Sequence, residues 1–455
     1  MDYLLSWLSV LGQLGETEKQ KSGEFSDFVL PPVVIVLTNE DQFKGDVEAV
    51  KRRIRDVTER RYQNVFRNLY VIDNTTTSGN NDPVTALREK IFSLRKEILA
   101  KEPPMPMEWL KFEGALSEEA FSGSTCNYIS IAKAKKIAKT CNTHSFVDAL
   151  KFLHRQGVVV YYAESLYVVL NPPWLMNLFT EIITVPEDSE NIKPIDAPYY
   201  RKLREKGLLM RQFLRKHTHG DLLENVMQKV SLMCPLKHEG KAAFLVPSVA
   251  PFMEKGQDIM SKLKVSPISS LFIMFLVGFI PLGVFTRSQV KLVNMCKGIT
   301  RIDEPKLFCN YTLLPITFDS IKFDVYLIQL IEKIKIGVCP KDETTNKESL
   351  AEFACHLKKL LGKCLEEIKS DEPLFYRGLR YEFAVKCTAC VHVSNESCRH
   401  GKLKCEHDEC GHMRSLNEIQ DCSDGTLCCA SNPTEILEFD LQRVKPWICN
   451  GKYIL

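Results

Sequence analysis

The chain has 455 residues, more than one ordinary core accommodates and enough for roughly three or four domains of about 100 to 200 residues each. Hydrophobic residues at 45% and charged residues at 26% fit a folded globular chain, which argues against a disordered or a polytopic membrane one. The 60 basic and 57 acidic residues leave a net charge of +3, too balanced for a global field that would gather nucleic acid or anionic lipid.

Met1 to Gly15 has no basic stretch before its apolar residues, so no secretory signal is expected. Pro31-Pro32 introduces Val33-Val34-Ile35-Val36-Leu37, an apolar run that suits a buried parallel strand, and it ends in Thr38-Asn39-Glu40-Asp41. Polar residues at the end of such a strand are where α/β folds place ligand contacts. Val47, Val50, Ile54 and Val57 recur at spacings of three and four, which predicts an amphipathic helix over 46–61. Leu69-Tyr70-Val71-Ile72 predicts a second buried strand, closed by Asp73-Asn74. After a polar loop, Asp82-Pro83 supplies a helix start, and Val84, Leu87, Ile91, Leu94 and Ile98 repeat the helical spacing. Strand, helix, strand, helix implies a parallel sheet.

This order resembles the last two strand-helix units of a Ras-like GTPase of the Roc type. In that family the strand ends in a guanine-reading Thr-His-Lys-Asp, where this chain has Thr38-Asn39-Glu40-Asp41. The resemblance implies that Asp41 would accept hydrogen bonds from a guanine ring, with Thr38 and Asn39 beside it and Asp73-Asn74 in the second base-contacting loop. Asn39 and Glu40 depart from the family's His and Lys. On the residues alone, an aspartate after a strand is more often a turn or helix cap. No G-x-x-x-x-G-K-[S/T] loop occurs in the sequence, so the lysine and backbone nest that grip β- and γ-phosphates are missing, with the hydroxyl for Mg²⁺. Residues 1–102 therefore read as half a Roc domain. GTP or GDP and Mg²⁺ are expected only with a complete Roc half, and neither GTP hydrolysis nor kinase activity is expected of this chain.

Glu102-Pro103-Pro104-Met105-Pro106 is a stiff linker and a domain boundary. Met107-Glu108-Trp109-Leu110-Lys111-Phe112-Glu113 follows, and it resembles the opening of COR domains, the companions of Roc in the Roco family. Four further stretches resemble COR in order: 145–162, the Leu170-Asn171-Pro172-Pro173-Trp174-Leu175 corner, Phe244-Leu245-Val246-Pro247-Ser248, and 279–287. Residues 129–184 read as helix, helix, two-stranded wing, helix, a winged-helix plan with its wing at 158–162 and 167–170. Lys133, Lys135, Lys136 and Lys139 make one of these helices basic, which suits a solvated face better than a DNA contact at this net charge. His154 reads as a helix-ending structural residue. The uncharged run 267–285 reaches membrane-spanning length, but Gly278, Pro281 and Gly283 punctuate it, so a buried β-hairpin at 271–285 is expected instead.

Of the 17 cysteines, eight lie singly between Cys126 and Cys364 and read as buried small hydrophobes. The other nine crowd into 387–449. Cys387-Thr388-Ala389-Cys390 is a knuckle that lets two thiolates converge on one tetrahedral ion, and Cys410-Gly411-His412 supplies a second pair at the spacing of structural zinc sites. Cys398, His400 and Cys405 are further candidates, for the same ion in another pairing or for a second one. Structural zinc is the expected cofactor, and an odd cysteine count without a secretory signal points to the reducing cytoplasm.

The expected fold is thus a multidomain α/β plus α+β chain. Its parts are a partial Ras-like sheet in 1–102, a COR winged-helix subdomain in 103–200, a β-rich COR subdomain in 201–385 and a Cys/His-rich segment in 386–455. The resemblance implies signalling or scaffolding through protein partners and a COR homodimer, with no nucleic acid and no membrane span. The competing reading is a winged-helix, zinc-containing nucleic-acid binder.

Overall fold

The structure is a computed structural model. It describes residues 32–39, 42–58, 65–73, 83–101, 105–121, 126–183, 195–253, 266–276, 279–299, 301–302, 305–342, 345–371, 379–387, 412–421 and 441–448. The chain divides into two compact units, Met1–Leu110 with Glu372–Leu379, and Lys111–Asp371 with Arg380–Leu455.

In the first unit, β1 (Val36–Thr38) pairs in parallel with β2 (Tyr70–Ile72), in the register Val36↔Tyr70 to Thr38↔Ile72. Helices α1 (Val47–Thr58) and α2 (Pro83–Lys101) follow one strand each, as the periodicity predicts. Asp46 starts α1 because its Oδ1 accepts from the backbone N–H groups of Glu48 at 2.9 Å and Ala49 at 3.1 Å, two donors with no partner inside the helix. Ile35 and Ile54 form the buried centre, with Val33, Leu37, Val50, Val65 and Leu69 against them. On α2 the predicted apolar face is buried at Leu94 and exposed at Ile91.

Helix α3 (Met107–Phe121), which belongs to the second unit from Lys111 onward, buries Phe112 and Leu116. Strand β3 (Tyr128–Ser130), helices α4 (Ile131–Thr140) and α5 (Phe146–Arg155), strand β4 (Tyr167–Val169) and helix α6 (Pro172–Ile183) follow in order. The expected faces of α4 and α5 are buried at Ala134, Ala138, Ala149, Leu150 and Leu153. The expected wing is reduced to one antiparallel bridge, Val160↔Val169, and β4 takes β3 as its ladder partner. Glycine 157 turns the chain at φ +72° just before that bridge.

Helix α7 (Ala197–Lys206) ends at Gly207, whose φ of +63° and tight surroundings, Ala250 Cβ at 2.9 Å from where a Cβ would stand, both require glycine. Next come β5 (Leu208–Met210), α8 (Gly220–Lys229), β6 (Cys234–His238) and β7 (Lys241–Leu245), the strands forming a sheet in the order β5-β7-β6. One core joins Val169, Leu175 and Leu178 to Leu203, Phe213, Leu223, Met227, Phe244 and Val246. That core crosses residue 200, where the sequence placed a boundary.

A larger sheet follows, built from β8 (Leu271–Phe275), β9 (Arg301–Ile302), β10 (Lys306–Leu307), β11 (Tyr311–Phe318), β12 (Ile321–Gln329), β13 (Lys333–Pro340), β14 (Tyr381–Lys386) and β15 (Met413–Ser415). Its order is β10-β11-β12-β13-β8-β14-β15, with β9 on β11, and all its pairs are antiparallel. Two helices, α9 (Val284–Ile299) and α10 (Lys347–Asp371), pack against each other, and the Phe353 ring of α10 stacks on Phe323 of β12 at 4.2 Å.

The predicted hairpin at 271–285 is corrected here. Its first half is β8, in the interior of the sheet between β13 and β14, but the second half turns at Pro281 and Gly283 (φ +78°) and enters α9 at Val284. Proline has no N–H for a ladder, and from Phe285 the buried residues Gln289, Leu292, Val293 and Cys296 recur at helical spacing. Among the described residues no helix is long and apolar enough to cross a membrane. A second difference concerns the scattered cysteines. Cys126, Cys141, Cys234, Cys296, Cys309, Cys339 and Cys364 are free thiols, whereas Cys355 is disulfide-bonded. Burial pushes the Cys364 thiol up to about 12, which leaves it inert as a nucleophile.

His356 on α10 carries a pH dependence. Its ring lies 5.2 Å from Phe318, and its Nε2 is buried with no hydrogen-bond partner among the described residues. Burial first, and Lys359 second, lower its pKa below the ordinary value of 6.5, against the opposing pull of Asp319 and Glu352. The unfolded chain therefore takes up this proton before the folded one. The corresponding stability is present above the unfolded value and is lost as pH falls through it toward the folded value. Urea midpoints are expected to drop between about pH 7.5 and 5.5, and His356→Phe should flatten that slope. An unchanged slope in the variant would assign the pH dependence elsewhere.

Candidate functional site

Because β1 and β2 are parallel and in register, the segments that leave them lie side by side at one edge of the small sheet. Thr38 ends β1 and is exposed, Asn39 follows with φ +61°, and Asp73 follows β2, half-buried. The left-handed turn at Asn39 is one that asparagine tolerates, and the Gln42 N–H closes it by donating to the Asn39 carbonyl at 3.2 Å. Glu40, Asp41 and Asn74 lie outside the described residues. Three of the five residues expected on the guanine side are thus placed, at the carboxyl ends of neighbouring strands.

A cavity of about 380 Å³ opens at this edge, lined by Leu37, Thr38, Asn39, Gln42, Phe43, Val47, Val50 and Val71. Its walls are largely the apolar face of α1 and the ends of the two strands. Among the described residues its polar groups are the Thr38 hydroxyl and the Asn39 and Gln42 amides, which can donate to and accept from a neutral ring. Gln42 and Phe43 were not singled out from sequence. They sit in the short connection between strand and helix, where neither periodicity nor a motif marks a lining residue.

In the second unit, the Trp174 corner is built around two asparagines. Asn171 Oδ1 accepts from the Trp174 N–H at 3.1 Å and so caps α6, while Asn171 Nδ2 donates to Asn127 Oδ1 at 3.1 Å. The Trp174 ring stacks on Tyr128 at 5.8 Å, and His219 meets both rings edge-on, at 4.9 and 5.7 Å. Burial, and then the neighbouring Tyr167, raise the Tyr128 pKa, so its hydroxyl stays neutral. His154 has a structural role, its Nδ1 accepting from the Tyr161 N–H at 3.5 Å and its ring meeting Tyr162 edge-on at 5.2 Å. On the basic helix α4, Lys133 is paired with Glu119. The side chains of Arg211 and Glu224 form a bidentate pair at 2.9 and 2.6 Å that ties the single turn Arg211–Leu214 to α8.

Of the seven metal-ligand candidates, Cys387 and His412 are described, and the backbone brings them together. Cys387 is a buried free thiol directly after β14, His412 directly precedes β15, and the Cys387 N–H donates to the His412 carbonyl at 2.8 Å. Cys390, Cys398, His400, Cys405 and Cys410 lie outside the described residues. Among the described residues no group of three or more His, Cys, Asp or Glu side chains is arranged around a metal position.

Comparison with curated proteins finds no match to this chain. Residues 106–249 match the family model described as C-terminal of Roc, COR-A domain, and end where the core that joins Val169 to Val246 ends, consistent with a COR domain of the Roco family.

Proposed function

We propose that the chain is a Roco-type signalling or scaffold module that works in the cytoplasm through dimerisation and protein–protein contacts. Nucleotide binding, on this reading, requires a phosphate-holding loop that these 455 residues do not contain. The observation that carries the proposal is the COR-A match over 106–249, whose later part, from Val169 to Val246, shares one core. The order α4, α5, bridged hairpin, α6 supports a winged-helix subdomain within the matched residues. The apolar cavity at the ends of β1 and β2 supports a remnant of a base site without the machinery for phosphoryl transfer.

Light scattering on the purified chain is the test. The expected mass is twice 52.0 kDa, and a monomer throughout the accessible concentration range would end the dimer reading. In parallel, a fluorescent GDP analogue is expected to show no magnesium-dependent capture. Tight capture would show that this chain grips phosphates by other means.

A further inference from the structure

We infer that a cavity between α3 and the start of α6 is a site for a small neutral molecule, apolar over most of its surface, whose one hydrogen-bond acceptor meets the Asn127 carboxamide. The site lies within the COR-A residues and shares no residue with the cavity at the ends of β1 and β2. It does not depend on the signalling role proposed above.

The cavity measures about 300 Å³, and four stretches wall it: the last turns of α3, residues 126–127 ahead of β3, residues 158–159 after α5, and the corner that opens α6. An apolar cavity of about 150 Å³ takes up benzene, so this one suits two fused rings. Natural ligand pockets begin at about this size and are mostly apolar, with a few placed polar groups. Leu116, Val159 and Leu170 are buried in the wall, whereas Phe121, which also lines it, is 84% exposed. A bound ring would cover apolar surface that water now wets.

Charge and hydrogen bonding decide the chemistry of the occupant. Among the described residues no Asp, Glu, Lys, Arg or His lines the cavity. A helix start ordinarily favours an anion through its free N–H groups. Here Pro172 and Pro173 have none, the Trp174 N–H donates to Asn171 Oδ1 at 3.1 Å, and the Leu175 N–H donates to the Asn171 carbonyl at 3.3 Å. The occupant is therefore neutral. Because the Trp174 N–H can only donate, Asn171 turns its oxygen to that group and its Nδ2 to Asn127. Asn127 Oδ1 must then accept, at 3.1 Å, which leaves the Asn127 Nδ2 hydrogens without a partner among the described residues. The Asn127 carbonyl also accepts from the Leu170 N–H at 2.8 Å and the Asn171 N–H at 3.2 Å, so this donor is held in place before a ligand arrives. The Ser117 hydroxyl, also unbonded among the described residues, supplies a second polar contact, whereas the Cys126 thiol already donates to the Tyr128 carbonyl at 3.2 Å.

The probe is prodan, a neutral naphthyl ketone whose emission moves to the blue when it leaves water. Titrated into the full chain, it should bind saturably and raise the thermal midpoint as its concentration rises. Asn127→Asp keeps the oxygen that Asn171 Nδ2 needs but removes the donor, so the dissociation constant should rise about tenfold. Dimethylaminonaphthalene, the same ring without the ketone, should bind the two chains nearly alike. Ala120→Phe fills the cavity from α3, and Ser117→Leu fills it from the preceding turn, so whichever of them keeps the wild-type circular dichroism should no longer bind the dye. Absence of saturable binding to the wild type would overturn the proposal. So would unchanged affinity in a folded Ala120→Phe or Ser117→Leu chain, or an Asn127→Asp loss of equal size for the ketone and the ketone-free ring.

Discussion

Trp447→Ala is expected to destabilise the second unit by about 3–5 kcal/mol, the range for emptying a buried large aromatic site. The Trp447 side chain is fully buried. Its Nε1 donates to the Ser269 carbonyl at 2.7 Å, and the Ser269 N–H donates to the Arg443 carbonyl at 2.9 Å. Arg443 Nη2 adds a third bond, to the Ser266 carbonyl at 3.2 Å. This segment therefore fastens the residues that lead into β8, an interior strand of the sheet. Trp447→Phe fills most of the volume but removes the donor, so a smaller loss of about 1–3 kcal/mol is expected from the stranded carbonyl. Urea titrations followed by far-UV circular dichroism compare the two. A Trp447→Ala midpoint within error of the wild type would mean that the segment contributes nothing to the fold.

Gly220→Ala is the second large effect, and it acts on the COR-A core. Gly220 begins α8, and a Cβ there would run into the Leu214 carbonyl oxygen, with the Leu214 carbonyl carbon at 3.1 Å and Arg215 Cα at 3.3 Å. Every one of these atoms is backbone, so no side-chain rotation relieves the clash. Helix α8 must then move outward, although it carries Leu222, Leu223, Val226 and Met227 into the shared core. Overpacking of this kind costs about 1–3 kcal/mol, and more where the backbone cannot yield. Gly114→Ala is the matched control, since Gly114 lies inside α3 with nothing within 4 Å of an added Cβ, and it should gain up to about 1 kcal/mol in helix propensity. Thermal melts in which Gly220→Ala is as stable as Gly114→Ala would show that α8 is free to shift.

How far sequence reading reached depended on the range over which each signal acts. The strand-helix alternation at 33–98 was legible because residues three and four apart share a helix face whatever surrounds them, and β1, α1, β2 and α2 stand where the apolar periods put them. The run at 267–285 was misread for the same reason in reverse. An uncharged window carries no period to choose between strand and helix, so only Pro281, Gly283 and the burial pattern of α9 decide it. The long helix α10 and strand β3 were not foreseen.

Chemical identity was carried by the chain itself: the absence of a phosphate-gripping loop, the ordered COR-like stretches, and the crowding of cysteines and histidines after residue 386 are properties of residue type and spacing. Which residues meet was decided by pairing across long separations. Asn39 and Asp73 lie at one sheet edge because β1 and β2 are parallel and in register, and Cys387 faces His412 because β14 and β15 run in opposite directions. Residues on either side of position 200 share a core for a similar reason, since β5 and β7 hold Leu209 and Phe244 together on the same packed face as Leu178. Local sequence specifies torsion angles and apolar faces, whereas register and shared burial depend on contacts between residues tens of positions apart, which no local pattern encodes.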